Sequence, residues 1–209
     1  MSGWILLLLA YLLGSIPTAL WVSRIFFGID IREHGSKNMG ASNTFRVLGA
    51  RYGIAVLLVD LAKGMGAVAL QPLLKETAWM ATEPALWQLL LGLVAVLGHI
   101  FPVFAGFRGG KGVATLFGMV LAMQPWIACI SVAAFLLVVL LTRFISLASL
   151  TGVVVFAYCV WFAWKESDIW MKAFSAGAAL LIIFLHRKNI HRMIKGTENK
   201  INLHRKKRD

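Results

Sequence analysis

Long apolar stretches separated by short polar ones run the length of the chain. A helix that crosses a bilayer needs about 20 mostly apolar residues. Residues 3–22, 54–74, 86–104, 145–163 and 169–185 meet that length. Residues 113–123 and 126–141, split by Gln124-Pro125, are short for full spans, and one of them is expected to be tilted, buried or half-membrane. The pattern predicts an all-α integral membrane protein with seven transmembrane helices. No basic residue precedes the first stretch, so it lacks the leading charge of a signal peptide and is expected to stay in the mature chain. Trp79, Trp87, Trp126, Trp161, Trp164 and Trp170 flank the stretches, as an interfacial aromatic belt does.

Composition agrees. Charged residues make up 14% of the chain, against about 25% in a soluble protein. That excludes a disordered or nucleic-acid tail protein and argues against a water-soluble globule. The formal charge is +12, and in a membrane chain such an excess records topology rather than a nucleic-acid partner. Arg24, Arg32, Lys37, Arg46 and Arg51 lie between the first two stretches, Arg108 and Lys111 between the third and fourth, and Arg143 between the fifth and sixth. The tail after residue 185 is densely basic, whereas Lys75, Lys165 and Lys172 mark the alternate connections. The bias predicts an N-terminus outside and a C-terminus in the cytoplasm. Residues 1–199 read as one membrane domain and 200–209 as a basic cytoplasmic tail. Cys129 and Cys159 sit in apolar runs without metal-ligand spacing and read as buried packing residues. No internal repeat stands out, which disfavours an inverted-repeat transporter.

Three polar clusters fall on the cytoplasmic side of this topology, where loops on a rigid scaffold carry function. The first, 34–46, sets Ser36, Asn38, Asn43 and Arg46 among glycines. Exposed backbone N–H groups with hydroxyl, amide and guanidinium donors suit a phosphate. A solvated turn is the plainer alternative. The second, 98–115, sets Gly109, Gly110 and Gly112 around Lys111 just before an apolar helix, resembling an anion nest backed by a helix N-terminus. It is not a Walker A loop: Ala105 occupies the first glycine position and Gly112 the Ser/Thr position, so nucleotide hydrolysis is not supported. The third, 186–199, holds His186, Asn189, Arg192 and Glu198 among basic residues that otherwise mark topology and anionic-lipid contact. If helical, His186 and Asn189 share a face at i and i+3.

Inside the second stretch, Asp60 and Lys63 stand at i and i+3. Ionisable groups within a membrane are costly and either pair or serve a site. They read as a self-neutralising brace with a supporting role. His99 reads as a hydrogen-bonded structural histidine. Ser146 and Ser149 open the sixth stretch beside Arg143.

With these residues in view, the chain closely resembles the bacterial acyl-phosphate:glycerol-3-phosphate acyltransferase family, PlsY. The likeness runs through three blocks in order: 35–46 (GSKNMGASNTFR), 98–115 (GHIFPVFAGFRGGKGVAT) and 186–198 (HRKNIHRMIKGTE). Residues 60–64 (DLAKG) look like the family's second-span DxxKG, and Lys37 departs where the family often has Gly. The resemblance implies a seven-span enzyme of the bacterial inner membrane with its active site facing the cytoplasm. It implies transfer of a fatty acyl group from acyl phosphate to the sn-1 hydroxyl of glycerol 3-phosphate, the first acylation of phospholipid synthesis. The products are lysophosphatidic acid and phosphate. It implies no cofactor, and a peripheral phosphate acyltransferase that supplies the donor as functional partner. The scattered histidines suggest no metal site.

By resemblance, Ser36, Asn38, Arg46 and Lys111 form the phosphate pocket with the backbone of Gly109, Gly110 and Gly112. His186, Asn189 and Ser149 complete it, and Asn43 and Arg192 are further candidates. Ser36, Arg46, Lys111, His186 and Asn189 are expected to be catalytic. Asp60, Lys63, His99 and Glu198 support, Glu198 by anchoring the C-terminal segment. The chemistry agrees: acyl phosphate is already activated, so the protein has to position a hydroxyl and hold charge. An acyl tail can lie between spans while its head sits at the basic surface. No nucleophile with an evident base partner appears, which favours direct transfer. Substrate-assisted proton transfer is implied, with His99 or His186 as the alternative base. The His-x4-Asp motif of another acyltransferase class occurs at 204–209, in a terminal tail, and reads as chance. A small anion transporter would need polar residues along a path through the bilayer. A lipid-binding scaffold leaves the glycine–lysine nest unexplained.

Overall fold

The computed structural model describes residues 1–74, 83–163 and 168–201, and all regular structure among them is helical. Lys75, Trp79, Trp164, Lys165 and the 202–209 part of the tail lie outside the described residues. The first apolar stretch is two helices, α1 (Gly3–Ser15) and α2 (Thr18–Phe27), which meet at Ile16-Pro17. Proline lacks an N–H and pushes the preceding residue out of the α region, so the helix breaks there. A short α3 (Ala41–Leu48) leads through Gly49 into α4 (Ala50–Val68). Then follow α5 (Pro84–Ile100), α6 (Val113–Met123), α7 (Pro125–Thr142) and α8 (Ile145–Tyr158), which a π turn (Cys159–Ala163) prolongs. Pro84 and Pro125 stand at helix starts, where a missing N–H costs nothing. Next come α9 (Ile169–Leu185) and α10 (Arg187–Ile194), bent by 57° at His186.

Among the described residues, five helical stretches are long and apolar enough to cross a membrane: Gly3–Phe27, Ala50–Leu73, Pro84–Ala105, Pro125–Thr142 and Ile145–Ala163. The number reaches six where α9 is counted with α10 across their bend. The segment expected to be short at 126–141 is 18 residues long and qualifies, whereas α6, at 11 residues, does not. Outward faces are apolar, with Leu141 75% and Leu180 70% exposed, as lipid-facing residues are. Two expectations fail. Trp87 is no belt residue but is buried against Gly3, whereas Trp126, Trp161 and Trp170 are exposed. Cys129 faces outward from α7, and only Cys159 is buried. Both misreadings come from position along a helix, which does not say which face meets a neighbour.

The packing that places the site runs through α4 and α6. A Cβ on Gly64 would lie 2.0 Å from the Thr115 carbonyl, and one on Gly118 would lie 2.0 Å from the Leu61 carbonyl. Small residues let membrane helices approach at backbone distance, so the short α6 is held against a full span. A core containing Val96, Met119, Phe156 and Ile182 fills the space between α5, α6, α8 and α9.

Candidate active site

The three polar clusters converge. Ser36, Asn38 and Arg46 of the first, Gly110, Lys111 and Gly112 of the second, and His186, Asn189 and Arg192 of the third line one cavity of about 620 Å³. The bend at His186 makes this possible, because it turns α10 away from the α9 axis. The cavity continues between helices, past Leu116 and Phe117 of α6, Val132 and Phe135 of α7, and Val153 and Phe156 of α8. One end is therefore cationic and the other apolar.

A hydrogen-bonded chain fixes the cationic end. Lys111 Nζ donates to Asn189 Oδ1. Asn189 Nδ2 donates to Ser146 Oγ at 2.9 Å and to Glu198 Oε1 at 2.7 Å. Ser146 Oγ also donates to Glu198, and Arg192 Nε reaches Glu198 Oε2 at 2.6 Å. Glu198 thus ties α8, α10 and the segment after it together. Burial raises the pKa of its carboxyl, but the hydrogen bonds from Ser146, Asn189 and Arg192 outweigh that and hold it below the usual carboxylate range. Burial chiefly, with Arg192 and Arg46 adding to it against Glu198, pushes the Lys111 ammonium down to about 8. Burial, then the Lys111 charge, lowers His186 to about 4, so it is neutral at pH 7. Its Nδ1 lies 2.8 Å from the Ile182 carbonyl. A carbonyl only accepts, so Nδ1 carries the proton and Nε2 keeps a lone pair.

Not every expected ligand reaches the cavity. Asn43 is fully buried: its Oδ1 accepts from the Ser36 N–H at 2.8 Å and its Nδ2 donates to the Ile31 and His34 carbonyls. It shapes the loop that presents Ser36. The N–H groups of Gly109 and Gly110 donate to the Ile100 and His99 carbonyls, each at 3.1 Å, so they are spent inside the protein instead of forming a nest. Their lack of a side chain serves packing: a Cβ on Gly110 would lie 2.2 Å from His99 Nε2 and 2.5 Å from the Met39 carbonyl. Gly112, at φ +72°, turns the chain into α6, whose N-terminal N–H groups supply the anion-favouring end of a helix. Ser149 lines the cavity, with its Oγ back-bonded to the Ile145 carbonyl at 2.9 Å.

Beneath the loops lies a buried polar cluster. Asp60 accepts from Lys63 at 2.6 Å and from Thr18 at 3.2 Å, and His99 Nδ1 lies 3.7 Å away. Lys63 also donates to the Ile16 carbonyl, which the proline break leaves outside the helical ladder. Asp60 and His99 reach the cavity wall. The sequence marked Ser146 only as a neighbour of Arg143 and did not single out Val132 or Phe135 of α7 as lining the site. The repeated small polar residue at i and i+3 (Ser146, Ser149) is the one local signal that marked this face.

A family model described as glycerol-3-phosphate acyltransferase matches residues 4–196. The chain belongs to the glycerol-3-phosphate acyltransferase family. A relative of that name from Fusobacterium nucleatum is 40% identical, over 96% of this chain and 98% of its own. One from Bacillus subtilis is 43% identical over 94% and 96%. The crystal structure of PlsY, an integral membrane glycerol 3-phosphate acyltransferase, in its glycerol 3-phosphate form, is similar with a TM-score of 0.84 and 35% identity, covering 96% of both chains. Its lysophosphatidic acid form gives a TM-score of 0.80 and 36% identity over 96% of this chain and 95% of that one. As a member of the PlsY family the chain is an enzyme, an integral membrane acyltransferase. In PlsY terms, the cationic end of the cavity and its apolar extension are the features that call for a chemical account.

Proposed function

We propose that this chain transfers a fatty acyl group from acyl phosphate to the sn-1 hydroxyl of glycerol 3-phosphate, giving lysophosphatidic acid and phosphate. The observation that carries the reading is the single cavity whose cationic end, at Lys111 and Arg46, runs into an apolar channel between α6, α7 and α8. A small dianion and a long-chain anhydride need those two surfaces side by side. The hydroxyl oxygen attacks the acyl carbonyl carbon, an ester bond forms, and the carbon–oxygen bond to phosphate breaks. The hydroxyl proton passes to a phosphate oxygen, and because the hydroxyl itself attacks the acyl carbon, no acyl-enzyme forms. Ser36, Asn38, Arg46 and Lys111 hold the phosphates, with the α6 N-terminus behind them. His186, Asn189, Ser149 and Arg192 close the site. Neutral His186 Nε2 is the alternative base, and His99 the second.

The same reading gives seven spans, with α6 as the short fourth, an external N-terminus, and the cavity facing the cytoplasm of a bacterial inner membrane. The excess of Lys and Arg in the connections on the cavity side supports this orientation. Residues 1–199 are the catalytic domain and 200–209 a basic tail. A peripheral phosphate acyltransferase supplies the donor. The test is purified protein in detergent with palmitoyl phosphate and labelled glycerol 3-phosphate. Lysolipid and phosphate should appear in equal amounts. Equal use of acyl-CoA would overturn the donor, and a trapped acyl-protein adduct would overturn direct transfer. In kinetic series on His99→Ala and His186→Ala, a kcat as low as that of dead enzyme in a folded variant would make that histidine the base.

A further inference from the structure

Arg24, Arg32 and Arg108 surround a second, open hollow of about 450 Å³, with Leu20 and Phe104 as its apolar wall. It shares no lining residue with the catalytic cavity. Arg32 is spent on structure: Nε and Nη2 donate to Asp30 at 2.9 and 2.6 Å, and Nη1 donates to the Ala105 carbonyl at 3.0 Å. Arg24 gives one Nη2 bond to Asp30 at 2.9 Å and its side chain is 55% exposed. Arg108 is exposed. Asp30 offsets one of the three cations and the nearby Glu33 carboxylate a second, so the hollow keeps one net positive charge, and Arg24 and Arg108 are the guanidiniums with donors to offer.

Its surroundings set its depth. Arg24 stands in the last turn of α2 beside exposed Trp21, Ile25 and Phe26. The facing loop exposes Phe104 and Phe107, and the Trp21 and Phe104 rings pack at 6.5 Å. Phe107 is held outward at φ +58°, a region that bulky side chains disfavour. Large apolar side chains this exposed at the end of a spanning helix lie in lipid, and an arginine among them reaches the headgroup layer.

We propose that this hollow binds one anionic phospholipid, with its headgroup phosphate between Arg24 and Arg108 and its chains along Trp21 and Phe104. The bound lipid steadies the catalytic loops. The Arg32–Ala105 hydrogen bond joins the loop that leads to Ser36 with the loop that leads to Lys111, and Arg108 lies on that second loop. The lipid is not the reactant, so the proposal stands apart from the identity of the acyl donor.

The test compares wild type with Arg24→Gln/Arg108→Gln in phosphatidylcholine nanodiscs, with and without phosphatidylglycerol. Native mass spectrometry counts retained lipid, and acylation of glycerol 3-phosphate reads the coupling. With about 1 kcal/mol for each interfacial cation, the double variant should bind phosphatidylglycerol about 30-fold more weakly. Its activity should lose the rise that phosphatidylglycerol gives wild type. Lys195→Gln/Lys200→Gln, which removes the same charge from exposed positions of the basic C-terminal segment, should lose less phosphatidylglycerol than the arginine pair and keep the rise in activity. Arg108→Gln alone leaves the Asp30 pairs intact and should show the same loss in smaller measure. Equal lipid retention by wild type and the Arg24→Gln/Arg108→Gln variant overturns the proposal. So does equal loss in both double variants, or displacement of the lipid by inorganic phosphate.

Discussion

Lys111 and Asn189 stand 78 positions apart, and the ammonium of one donates to the amide oxygen of the other. Asn189 is itself held by Ser146 and Glu198. The aim of the cation on α6's leading loop is therefore set by α8 and α10. A cation held in place before substrate arrives needs little reorganisation when charge moves to the leaving phosphate.

Lys111→Ala should lower kcat/KM about 100-fold, as expected for losing a charge-assisted hydrogen bond of about 2–3 kcal/mol. The melting temperature should change little. Lys195→Ala, at an exposed position, should leave kcat/KM unchanged. Steady-state kinetics on the two variants checks this, and equal losses would remove Lys111 from the site.

The lowered Lys111 value gives a pH dependence with a definite sign. Lysine is charged below its pKa, so anion binding weakens as pH rises through about 8. Glycerol 3-phosphate, a phosphate monoester with a second pKa near ~6, does not titrate above neutrality. The profile of kcat/KM should therefore show a falling limb near 8. Lys111→Arg should remove that limb, because a guanidinium stays charged. Persistence of the limb in Lys111→Arg would assign it to another group.

Gly110→Ala should nearly abolish activity and lower the melting temperature, because the new methyl meets the His99 ring and the Met39 carbonyl together. Gly177→Ala in α9, with nothing within 4 Å of the added carbon, should be neutral or slightly stabilising. Thermal unfolding in detergent distinguishes the two.

Asp60→Leu should cost about 3–5 kcal/mol, since it leaves Lys63 buried without its carboxylate partner. Asp60→Leu/Lys63→Met should recover most of that loss. A double variant no more stable than Asp60→Leu alone would show that the Ile16 carbonyl, not Asp60, is the main partner of Lys63.

Much of this was legible in one dimension. The apolar stretches located α6 and α9 to the residue, and the spacing of Asp60 and Lys63 foretold their pairing. The clusters around Ser36, Lys111 and Asn189 were visible as polar, glycine-rich breaks, and they do line one cavity. The glycines of the second cluster misled. Their N–H groups suited an anion on paper, yet Gly109 and Gly110 bond to His99 and Ile100. Asn43 likewise has a ligand's chemistry but spends it on Ser36, Ile31 and His34.

Hydropathy and charge order are sums over neighbours in the chain, so the order of amino acids alone carries the helices, their membrane character and the chemistry of the loops. Whether a donor stays free for substrate depends on which distant group reaches it first, and a hydrogen bond is decided by contact, not by spacing. The break at Pro17, the bend at His186 and the backbone-close packing of α4 on α6 set those contacts. That Lys111 points at Asn189 while the amides beside it turn inward is a product of those contacts, which no local window of the chain contains.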